Sequence, residues 1–202
     1  LSTTLATNAV VEGRGTPVCL LLAGYDSRQV DQARLEHIVR GGHCALIPGG
    51  HDAGGGEREP LDLDRARQII IEQHDKVAAF GISGLFGVRN PGHEVQLREL
   101  VSSLTGKPVT CGHELASQLD APRRALTVAL NASLIPYIDE LIRAVKRILE
   151  ERDIHSPLMM VKGDGSLISA DTALARPVET ILSGPAASVM GAAQLQPQQN
   201  AI

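Results

Sequence analysis

The sequence predicts an α/β fold with a mostly parallel sheet flanked by helices. Short, uninterrupted apolar runs such as 17–23, "PVCLLLA", alternate with amphipathic segments. Such runs are typical of strands that are buried on both faces, because helices cover both sides of a parallel sheet. With 202 residues, 43% of them hydrophobic, the chain is long enough to bury a core of this type.

The first half of the chain contains most of these runs. Strands are predicted in four of them, at 17–23, 44–48, 77–83 and 108–112. The amphipathic segments between them predict a helix from Asp26 that stops at Gly41, and further helices at 63–77 and 93–106. Strands therefore alternate with helices, which is the order expected of parallel strands.

The second half begins with a predicted long helix. Apolar residues recur at helical spacing from 134 to 148, and we expect Pro136 in the first turn, where a missing N–H costs nothing. A strand at 157–163 follows, and the turn sequence "GDGS" breaks it.

The last part, "VETILSGPAASVMGAA", predicts a short apolar strand at 178–182 and then a helix of small residues. This helix is expected to begin at Pro185 and to close with the polar tail 194–200. Small side chains let two backbones approach closely, so we expect residues 186–192 to be tightly packed.

Composition argues against nucleic acid as a partner. The chain has no Trp, two Tyr and two Phe, so it has few aromatic rings on which bases could stack. Its net charge of −4 disfavours binding to a phosphate backbone.

Cysteine usage and hydropathy predict a cytoplasmic protein that has no contact with a membrane. Cys19, Cys44 and Cys111 lie in or beside apolar runs without CxxC spacing, which is typical of buried thiols in a reducing compartment. No apolar run approaches the roughly 20 residues of a membrane span. The N-terminus lacks the basic-then-apolar pattern of a signal peptide.

The glycine-rich stretch 41–60 is a candidate ligand loop. It holds seven glycines together with His51 and Asp52, close to the end of a predicted strand. Glycine lets a backbone approach a ligand closely, and imidazole and carboxylate groups can bind a divalent metal. The spacing matches no specific metal motif, so a metal site, a substrate contact and a solvated loop all remain open.

Two His-Glu pairs are further candidates. His93 and Glu94 follow the turn sequence "NPG", and Glu94 suits the first turn of a helix by itself. His113 and Glu114 follow the predicted strand 108–112, and ligands collect at the C-terminal ends of strands in open α/β sheets.

Two polar clusters could bind an anion. Thr3, Thr4, Thr7 and Asn8 stand at a predicted helix start, where hydroxyl and N–H groups hold a phosphate or simply cap the helix. In the second cluster, "VKGDGSLIS", Lys162 could pair with phosphate and Asp164 could orient a water, or the sequence could form a plain Asp-Gly turn.

Seven motifs, in this order, resemble the hydantoinase A / 5-oxoprolinase family. They are "TTLATNAVVEGRG", "GGHDAGGGE", "RNPGHE", "PVTCGHELA", "RRALTVALNASLIP", "VKGDGSLIS" and "RPVETILSGPAASVMGA". The resemblance runs nearly from end to end, and the last two motifs are highly specific in combination. Members of the family include ATP-dependent N-methylhydantoinases and the related subunit of acetone carboxylase.

The resemblance implies a partial actin-like ATPase (ribonuclease H-like) fold. Residues 1–115 would be the N-terminal-type region, and 116–202 the start of the ATPase-type domain. In that fold each half contributes an Asp-Gly-Gly-Thr phosphate loop, the second after a strand that 200–202 would begin, and this sequence contains neither loop. We therefore expect an internal segment that is inactive alone.

The resemblance also implies a reaction, the ATP-driven opening of a hydantoin or 5-oxoproline-type ring, with Mg²⁺ accompanying ATP. Catalytic roles are implied for Lys162 and Asp164. On the nucleotide side the implied residues are Thr3, Thr4, Thr7, Asn8, Gly163, Gly165, Ser183 and Gly184. On the substrate side they are His51, Asp52, His93, Glu94, His113 and Glu114.

A second, larger hydantoinase-type subunit is the partner that the family implies. Two other functions remain open for the chain. One is the ATP-using subunit of an acetone carboxylase-like enzyme, and the other is a non-catalytic α/β binding module whose glycine-rich loops bind nothing.

Overall fold

A computed structural model describes residues 1–39 and 41–195. In chain order the elements are α1 (Leu5–Val11), β1 (Val18–Ala23), α2 (Ser27–Gln32), α3 (Leu35–Ile38), β2 (His43–Ile47), β3 (Gly50–His51), β4 (Glu57–Glu59), α4 (Leu63–Gln73), β5 (Ala79–Gly84), α5 (Gly92–Thr105), β6 (Val109–Cys111), α6 (Gly112–Leu115), α7 (Ala121–Glu151), β7 (Met159–Val161), β8 (Leu167–Ser169), α8 (Ala170–Ala175), the 3-10 helix Pro177–Thr180 and α9 (Ser183–Leu195). The chain divides into two compact units. The sheet unit comprises residues 15–136, and the terminal unit comprises 1–14 and 137–202.

The sheet unit is built on four parallel strands in the order β2-β1-β5-β6. All six residues of β1 are buried, and so are all six of β5. The α/β prediction with a parallel sheet is confirmed, and each predicted strand of the first half is present within a residue or two. A small antiparallel pair, β3 and β4, forms a separate two-stranded sheet.

Helices cover both faces of this sheet, as continuous apolar strands require. Alternate residues of a strand point to opposite faces. Cys19, Leu21 and Ala23 pack with residues of α4 and α5, whereas Leu20 and Leu22 pack with residues of α2, α3 and α7. The core is mainly aliphatic on both sides of β1, with one buried aromatic residue on each side, Phe80 and Tyr25.

The predicted helix from Asp26 to Gly41 is wrong, because two short helices, α2 and α3, occupy that stretch. Asp26 forms a capping box with Gln29 at the start of α2. Arg34 then takes a left-handed conformation, with φ of 50°, which interrupts the helical path. The apolar periodicity continues across this break, so the sequence pattern does not reveal it.

The long helix begins at Ala121, more than ten residues before the predicted start. The placement of Pro136 in a first turn is therefore wrong, because Pro136 lies inside the helix. The first half is rich in small buried residues, including Ala125, Ala129 and Ala132. Alanine has the highest helix propensity, so these residues favour a helix although they add little to an apolar stripe.

α7 is long and apolar enough to cross a bilayer by length and composition. However, 56% of the apolar window is buried inside the protein, and Val128 and Ala129 belong to the core of the sheet unit. A core helix passes the same test of length and composition.

The described part of the terminal unit contains α1, the antiparallel hairpin of β7 and β8, α8, the 3-10 helix and α9. The strand predicted at 178–182 is wrong, since Pro177–Thr180 forms the 3-10 helix. Pro177 fixes the helical φ at its start, and the Thr180 hydroxyl donates to the Pro177 carbonyl. The strand predicted to begin at 200–202 and the end of the polar tail lie outside the described residues.

α9 begins at Ser183, and its small residues are not tightly packed among the described residues. Residues 188–195 are exposed, and a Cβ added to Gly191 would meet nothing within 4 Å. The first turn approaches another segment, since a Cβ at Gly184 would lie 3.4 Å from the Thr4 methyl group, and further along α9 it is the larger side chain of Met190 that makes a close contact, with Gly165. The expectation of close backbone packing along 186–192 is therefore not met in the part of the chain that the structure describes.

Candidate functional site

The candidate site lies at the carboxyl edge of the sheet, where β1, β2, β5 and β6 end. After β1 the chain adds β2 on one side, and later it adds β5 on the other side. The connections after β1 and β5 therefore leave the sheet in opposite directions, which opens a crevice between them. Ligands of open α/β sheets bind at such switch points.

A cleft of about 360 Å³ occupies this position. It is lined by Gly24, Tyr25 and Asp26 after β1, by Pro48 and Gly49 after β2, and by Leu85 after β5, together with Arg58 and Glu59. The two loops touch at the base of the cleft, because a Cβ on Gly24, with φ of 76°, would lie 2.9 Å from the Gly49 carbonyl oxygen. Glycine is therefore required there both by backbone conformation and by close approach.

Glu94 is a fully buried carboxylate at this edge. It lies in the first turn of α5, where the helix dipole favours a negative charge. Its Oε1 accepts the Gly84 N–H at 2.7 Å, and its Oε2 accepts the His113 N–H at 2.8 Å. Each carboxylate oxygen therefore accepts one backbone N–H group.

The His113 ring is held by the same carboxylate. Its Nδ1 lies 2.6 Å from Glu94 Oε2. A carboxylate oxygen is a hydrogen-bond acceptor, so we assign the donating N–H of this contact to His113 Nδ1. The ring is one-fifth exposed, so its opposite nitrogen, Nε2, is available as a base or hydrogen-bond acceptor.

A second histidine cluster joins the glycine-rich stretch to α5. The rings of His51 and His93 stack with centroids 4.1 Å apart, and both residues are buried. The Nε2 of His93 lies 2.9 Å from Glu57 Oε1. Burial and the neighbouring His93 lower the pKa of His51, while Glu57 and Asp52 oppose that shift.

Cys111 lies close to the Glu94–His113 pair. One ligand atom from each of these three residues lies within 4.8 Å of the other two, so by residue type they could hold a metal ion. The 2.6 Å separation of nitrogen and oxygen matches a direct hydrogen bond better than two ligands around one ion. Burial also raises the pKa of the Cys111 thiol to about 12, so it is not a thiolate at neutral pH.

Four of the six predicted substrate residues thus converge in two clusters. The other two do not. Asp52 Oδ1 accepts the N–H groups of Gly54 and Gly56 within its own exposed turn. Glu114 is exposed and pairs with Arg98.

Sequence reasoning missed a buried network beside Glu94. Arg124 is 2% exposed and donates to the carbonyls of Gly84 and Gln118. The Tyr25 hydroxyl lies 2.8 Å from both Ser83 Oγ and the Ala121 carbonyl oxygen, and burial raises the Tyr25 pKa to about 12. A lone arginine on an otherwise apolar helix face was the available signal for this network.

In the terminal unit, two predicted nucleotide-side motifs meet. Ser183 Oγ donates to the Thr3 carbonyl and accepts the Thr3 N–H, and Thr7 Oγ1 accepts the Leu182 N–H. These hydrogen bonds of Ser183 and Thr7 join α1 to the start of α9. The side chains of Thr4 and Asn8 are exposed, and Thr4 makes no helix cap.

Lys162 and Asp164 lie on the turn between β7 and β8. Asp164 accepts from the backbone N–H and the hydroxyl of Ser166, which lowers its pKa to about 2. Lys162 pairs with Asp164 at 3.3 Å and with Glu179 at 3.2 Å. Their catalytic roles stay predictions.

The glycines of this turn allow close packing. A Cβ on Gly163 would lie 2.3 Å from the Ile181 carbonyl oxygen, and one on Gly165 would lie 2.8 Å from Met190 Cγ. The turn therefore packs closely against other segments of the terminal unit.

Two family models match the chain. The one described as "Hydantoinase/oxoprolinase N-terminal region" covers residues 1–105, and the one described as "Hydantoinase/oxoprolinase" covers 124–202. The first alone spans more than half of the 202 residues. The chain belongs to the hydantoinase/oxoprolinase family.

The family regions and the compact units divide the chain differently. The predicted boundary between 115 and 116 falls in the gap between the two matched ranges. The compact units instead separate after residue 14 and after residue 136. The predicted division therefore stays a prediction about family regions.

Two curated relatives of this hydantoinase/oxoprolinase family member are named as enzyme subunits. Caprolactamase subunit alpha of Pseudomonas jessenii is 29% identical over 92% of this chain and 29% of its own length. Acetophenone carboxylase gamma subunit of Aromatoleum aromaticum is 28% identical over 70% of this chain and 20% of its own length. The chain thus spans less than a third of the length of these relatives.

Solved structures share the fold. The ATP-dependent caprolactamase from Pseudomonas jessenii superposes with a TM-score of 0.82 over 97% of this chain and 31% of that chain, at 26% identity. A nucleotide-free acetone carboxylase superposes with a TM-score of 0.77 over 97% of this chain and 31% of that chain, at 21% identity. The second likeness carries the fold alone.

Proposed function

We propose that this family member is a segment of an ATP-dependent cyclic amidohydrolase, which opens hydantoin, 5-oxoproline or related lactam rings. The observation that carries this proposal is the 29% identity to a caprolactamase subunit over 92% of the chain. The whole protein would be cytoplasmic and would work with a second, larger hydantoinase-type subunit. The names of the relatives, which are subunits alpha and gamma, support a subunit partner.

The chemistry explains why ATP would be needed. In the proposed reaction ATP supplies the phosphoryl group that activates the amide oxygen, so that the ring carbon becomes electrophilic enough for water to attack. The residues of the sheet unit suit the ring side of this reaction. The His113 ring is oriented by Glu94, and His51 with His93 offers further imidazole groups, so these four residues are proposed to bind the ring and move protons.

The phosphate side is proposed to involve exposed polar groups of the terminal unit. Thr4 and Asn8 are exposed, and hydroxyl and amide groups can donate to phosphate oxygens. Lys162 could add a positive charge, although in this structure it pairs with Asp164 and Glu179.

The described residues do not assemble a magnesium site. Mg²⁺ prefers oxygen ligands in octahedral geometry, whereas Glu94, Cys111 and His113 offer one oxygen, one sulfur and one nitrogen. Asp164 instead accepts hydrogen bonds from Ser166 and Lys162. We therefore assign none of the described residues to Mg²⁺ binding.

The first experiment measures turnover by the full-length protein with its partner subunit. Hydantoin, N-methylhydantoin, 5-oxoproline, ε-caprolactam and acetone are each supplied with and without ATP. Ring opening of at least one cyclic amide, coupled to ATP consumption, is expected. ATP-dependent carboxylation of acetone without any amide hydrolysis would contradict the proposal.

The second experiment tests the two sets of residues in the same protein. His51→Ala should weaken binding of the cyclic amide, and Asp164→Ala should weaken binding of ATP, each measured by calorimetry. His37→Ala and Asp171→Ala are matched controls, since both residues are exposed in the same respective units. Unchanged affinities in both test variants would refute the assignment of these residues.

One specific observation favours a second function. The 28% identity to an acetophenone carboxylase gamma subunit supports an ATP-using carboxylase subunit as the alternative. The substrate panel separates the two, because carboxylation adds carbon to a ketone whereas hydrolysis opens a ring.

A further inference from the structure

The first turns of α7 hold a buried guanidinium without an ion-pair partner. Arg124 is 2% exposed, yet among residues 1–39 and 41–195 both of its hydrogen-bond acceptors are main-chain carbonyls, those of Gly84 and Gln118. Its Nε is buried and has no partner among the same residues. Buried charges are costly unless they are paired, so this arrangement is incomplete as it stands.

The nearest buried carboxylate does not complete it. Glu94 and Arg124 both approach Gly112, where a Cβ would be 3.1 Å from Glu94 Oε1 and 3.2 Å from Arg124 Cδ. The carboxylate therefore faces the methylene stem of Arg124. Its hydrogen bonds go to Gly84 and His113 instead of the guanidinium.

A cavity of about 230 Å³ adjoins this arginine. Arg123, Arg124 and Thr127 line one face of the α7 start, with Gln118 and Asp120 from the preceding turn. Thr127 lies three and four residues after the two arginines and so neighbours both on the helix surface, and the N-terminus of a helix favours negative charge. The charged groups facing the cavity are two guanidiniums and one carboxylate, that of Asp120.

Asp120 is engaged with the helix itself. Its Oδ1 accepts the Arg123 N–H at 3.1 Å, and its backbone carbonyl accepts the Arg124 N–H. It forms no ion pair with either arginine within the described residues. The cavity therefore combines a helix N-terminus, two guanidiniums against one carboxylate, and a nearly buried arginine whose Nε has no hydrogen-bond partner among the described residues.

We propose that this cavity, the Arg124 pocket, binds a small oxyanion, either a phosphate or a carboxylate. Such an anion would neutralise the buried guanidinium and accept from the Arg123 side chain, since the Thr127 hydroxyl already donates to the Arg123 carbonyl. Arginine suits this role because its planar fork binds carboxylate and phosphate oxygens in pairs. The pocket lies entirely in the sheet unit, and the proposal does not depend on the proposed function.

The test is a binding measurement that requires no turnover. The protein is titrated with sodium phosphate and, separately, with sodium acetate, at constant ionic strength maintained with chloride, and binding is followed by amide NMR. Saturable shifts confined to residues 115–127 are expected. Binding of phosphate alone would identify a phosphate site, binding of acetate alone would identify a carboxylate site, and either result supports the proposal.

Variants distinguish binding at a specific site from nonspecific electrostatic attraction of anions. Arg124→Gln should abolish binding, and Arg124→Lys should weaken it because lysine lacks the fork. Arg123→Gln should weaken binding about tenfold, the loss expected for one charge-assisted hydrogen bond. Arg143→Gln, at an exposed position of the same helix, should leave the affinity unchanged.

Arg123→Gln keeps the proposal falsifiable if the Arg124 variants do not fold, because Arg123 is exposed. Equal affinities of wild type and Arg123→Gln would overturn the proposal. So would the absence of saturable shifts near these residues at about 50 mM of either probe. Loss of binding with retained amide hydrolysis would leave the proposed function intact.

Discussion

At the scale of single residues, Glu94 organises the carboxyl edge. Its oxygens accept hydrogen bonds from Gly84 and His113, so one side chain ties the end of β5 to the start of α6. Removing such a partner leaves buried N–H groups without acceptors, which is more costly than the mean value of a hydrogen bond. The position of the carboxylate is therefore fixed, and a group that enters the space around it should destabilise the fold.

Gly87→Ala tests this constraint. A Cβ on Gly87 would lie 2.3 Å from Glu94 Oε1, so either the carboxylate or the loop must move. We expect the free energy of unfolding to fall by about 1–3 kcal/mol, as for other overpacked sites. Urea denaturation measures this change.

The matched control is Gly191→Ala in α9, where the added Cβ meets nothing within 4 Å. That variant should be stabilised by about 0.5–1 kcal/mol, because alanine replaces glycine inside a helix. A Gly87→Ala protein as stable as wild type would contradict the described position of Glu94.

His51 predicts a pH dependence of stability. Burial and His93 lower its pKa in the folded state, so below the unfolded pKa of about 6.5 the unfolded state binds more protons. This contribution to stability is complete above about pH 6.5 and is lost as the pH falls through the unfolded value toward the lowered folded one.

The measurement is the free energy of unfolding from pH 7.5 to 5.5. His51→Gln should flatten the decline on acidification, whereas His37→Gln, at an exposed position on α3, should not. An identical slope in wild type and His51→Gln would rule out the contribution of His51.

At the scale of secondary structure, the sequence predicted the strands of the parallel sheet better than it predicted the helices. The strands of the parallel sheet were predicted within a residue or two, because a continuous apolar run has one stable place in an α/β fold. The interruption at Arg34 and the early start of α7 were missed. A left-handed backbone conformation at one arginine does not change the periodicity of the sequence, and the buried face at the start of α7 consists largely of alanines, which give a weak apolar stripe.

The candidate site was also predicted only in part from the sequence. Sequence position placed His51 and His113 near the ends of predicted strands, and it placed His93 and Glu94 after a turn at the start of a helix. The parallel topology brings these residues to one edge of the sheet. The specific pairs did not follow, since neither the stacking of His51 on His93 nor the turn-capping role of Asp52 is encoded in spacing. These depend on loop paths that only the folded chain fixes.

The position of Pro136 inside α7 leads us to expect that its replacement by alanine stabilises the protein. Proline cannot donate a hydrogen bond to the carbonyl four residues earlier, and its ring crowds that carbonyl. Pro136→Ala should therefore raise the free energy of unfolding by about 1–3 kcal/mol. Thermal or urea denaturation gives the value.

Pro122→Ala provides the comparison within the same helix. Pro122 lies in the first turn, where the missing N–H has no helical acceptor, so the change should stay within about 0.5 kcal/mol. If Pro136→Ala destabilised the protein, the proline would have to be required by its local packing.

At the scale of the whole molecule, the three cysteines report on the integrity of the core. Cys19 and Cys111 are buried in the sheet, and Cys44 is partly buried. Burial is the main cause that raises the pKa of each thiol to about 12. The reactive form is the thiolate, so at pH 8 each thiol should react roughly a thousandfold more slowly than an exposed cysteine with a pKa near 8.5.

Labelling with an aromatic disulfide reagent at pH 8 therefore tests the fold as a unit. The native protein should react slowly at every cysteine, and all three thiols should react rapidly in concentrated urea. Cys44→Ser should remove the fastest native phase, since Cys44 is the most exposed of the three, whereas Cys19→Ser should leave that phase in place. A rapid native phase that persists in Cys44→Ser would show that the sheet opens around Cys19 or Cys111 far more often than a packed core permits.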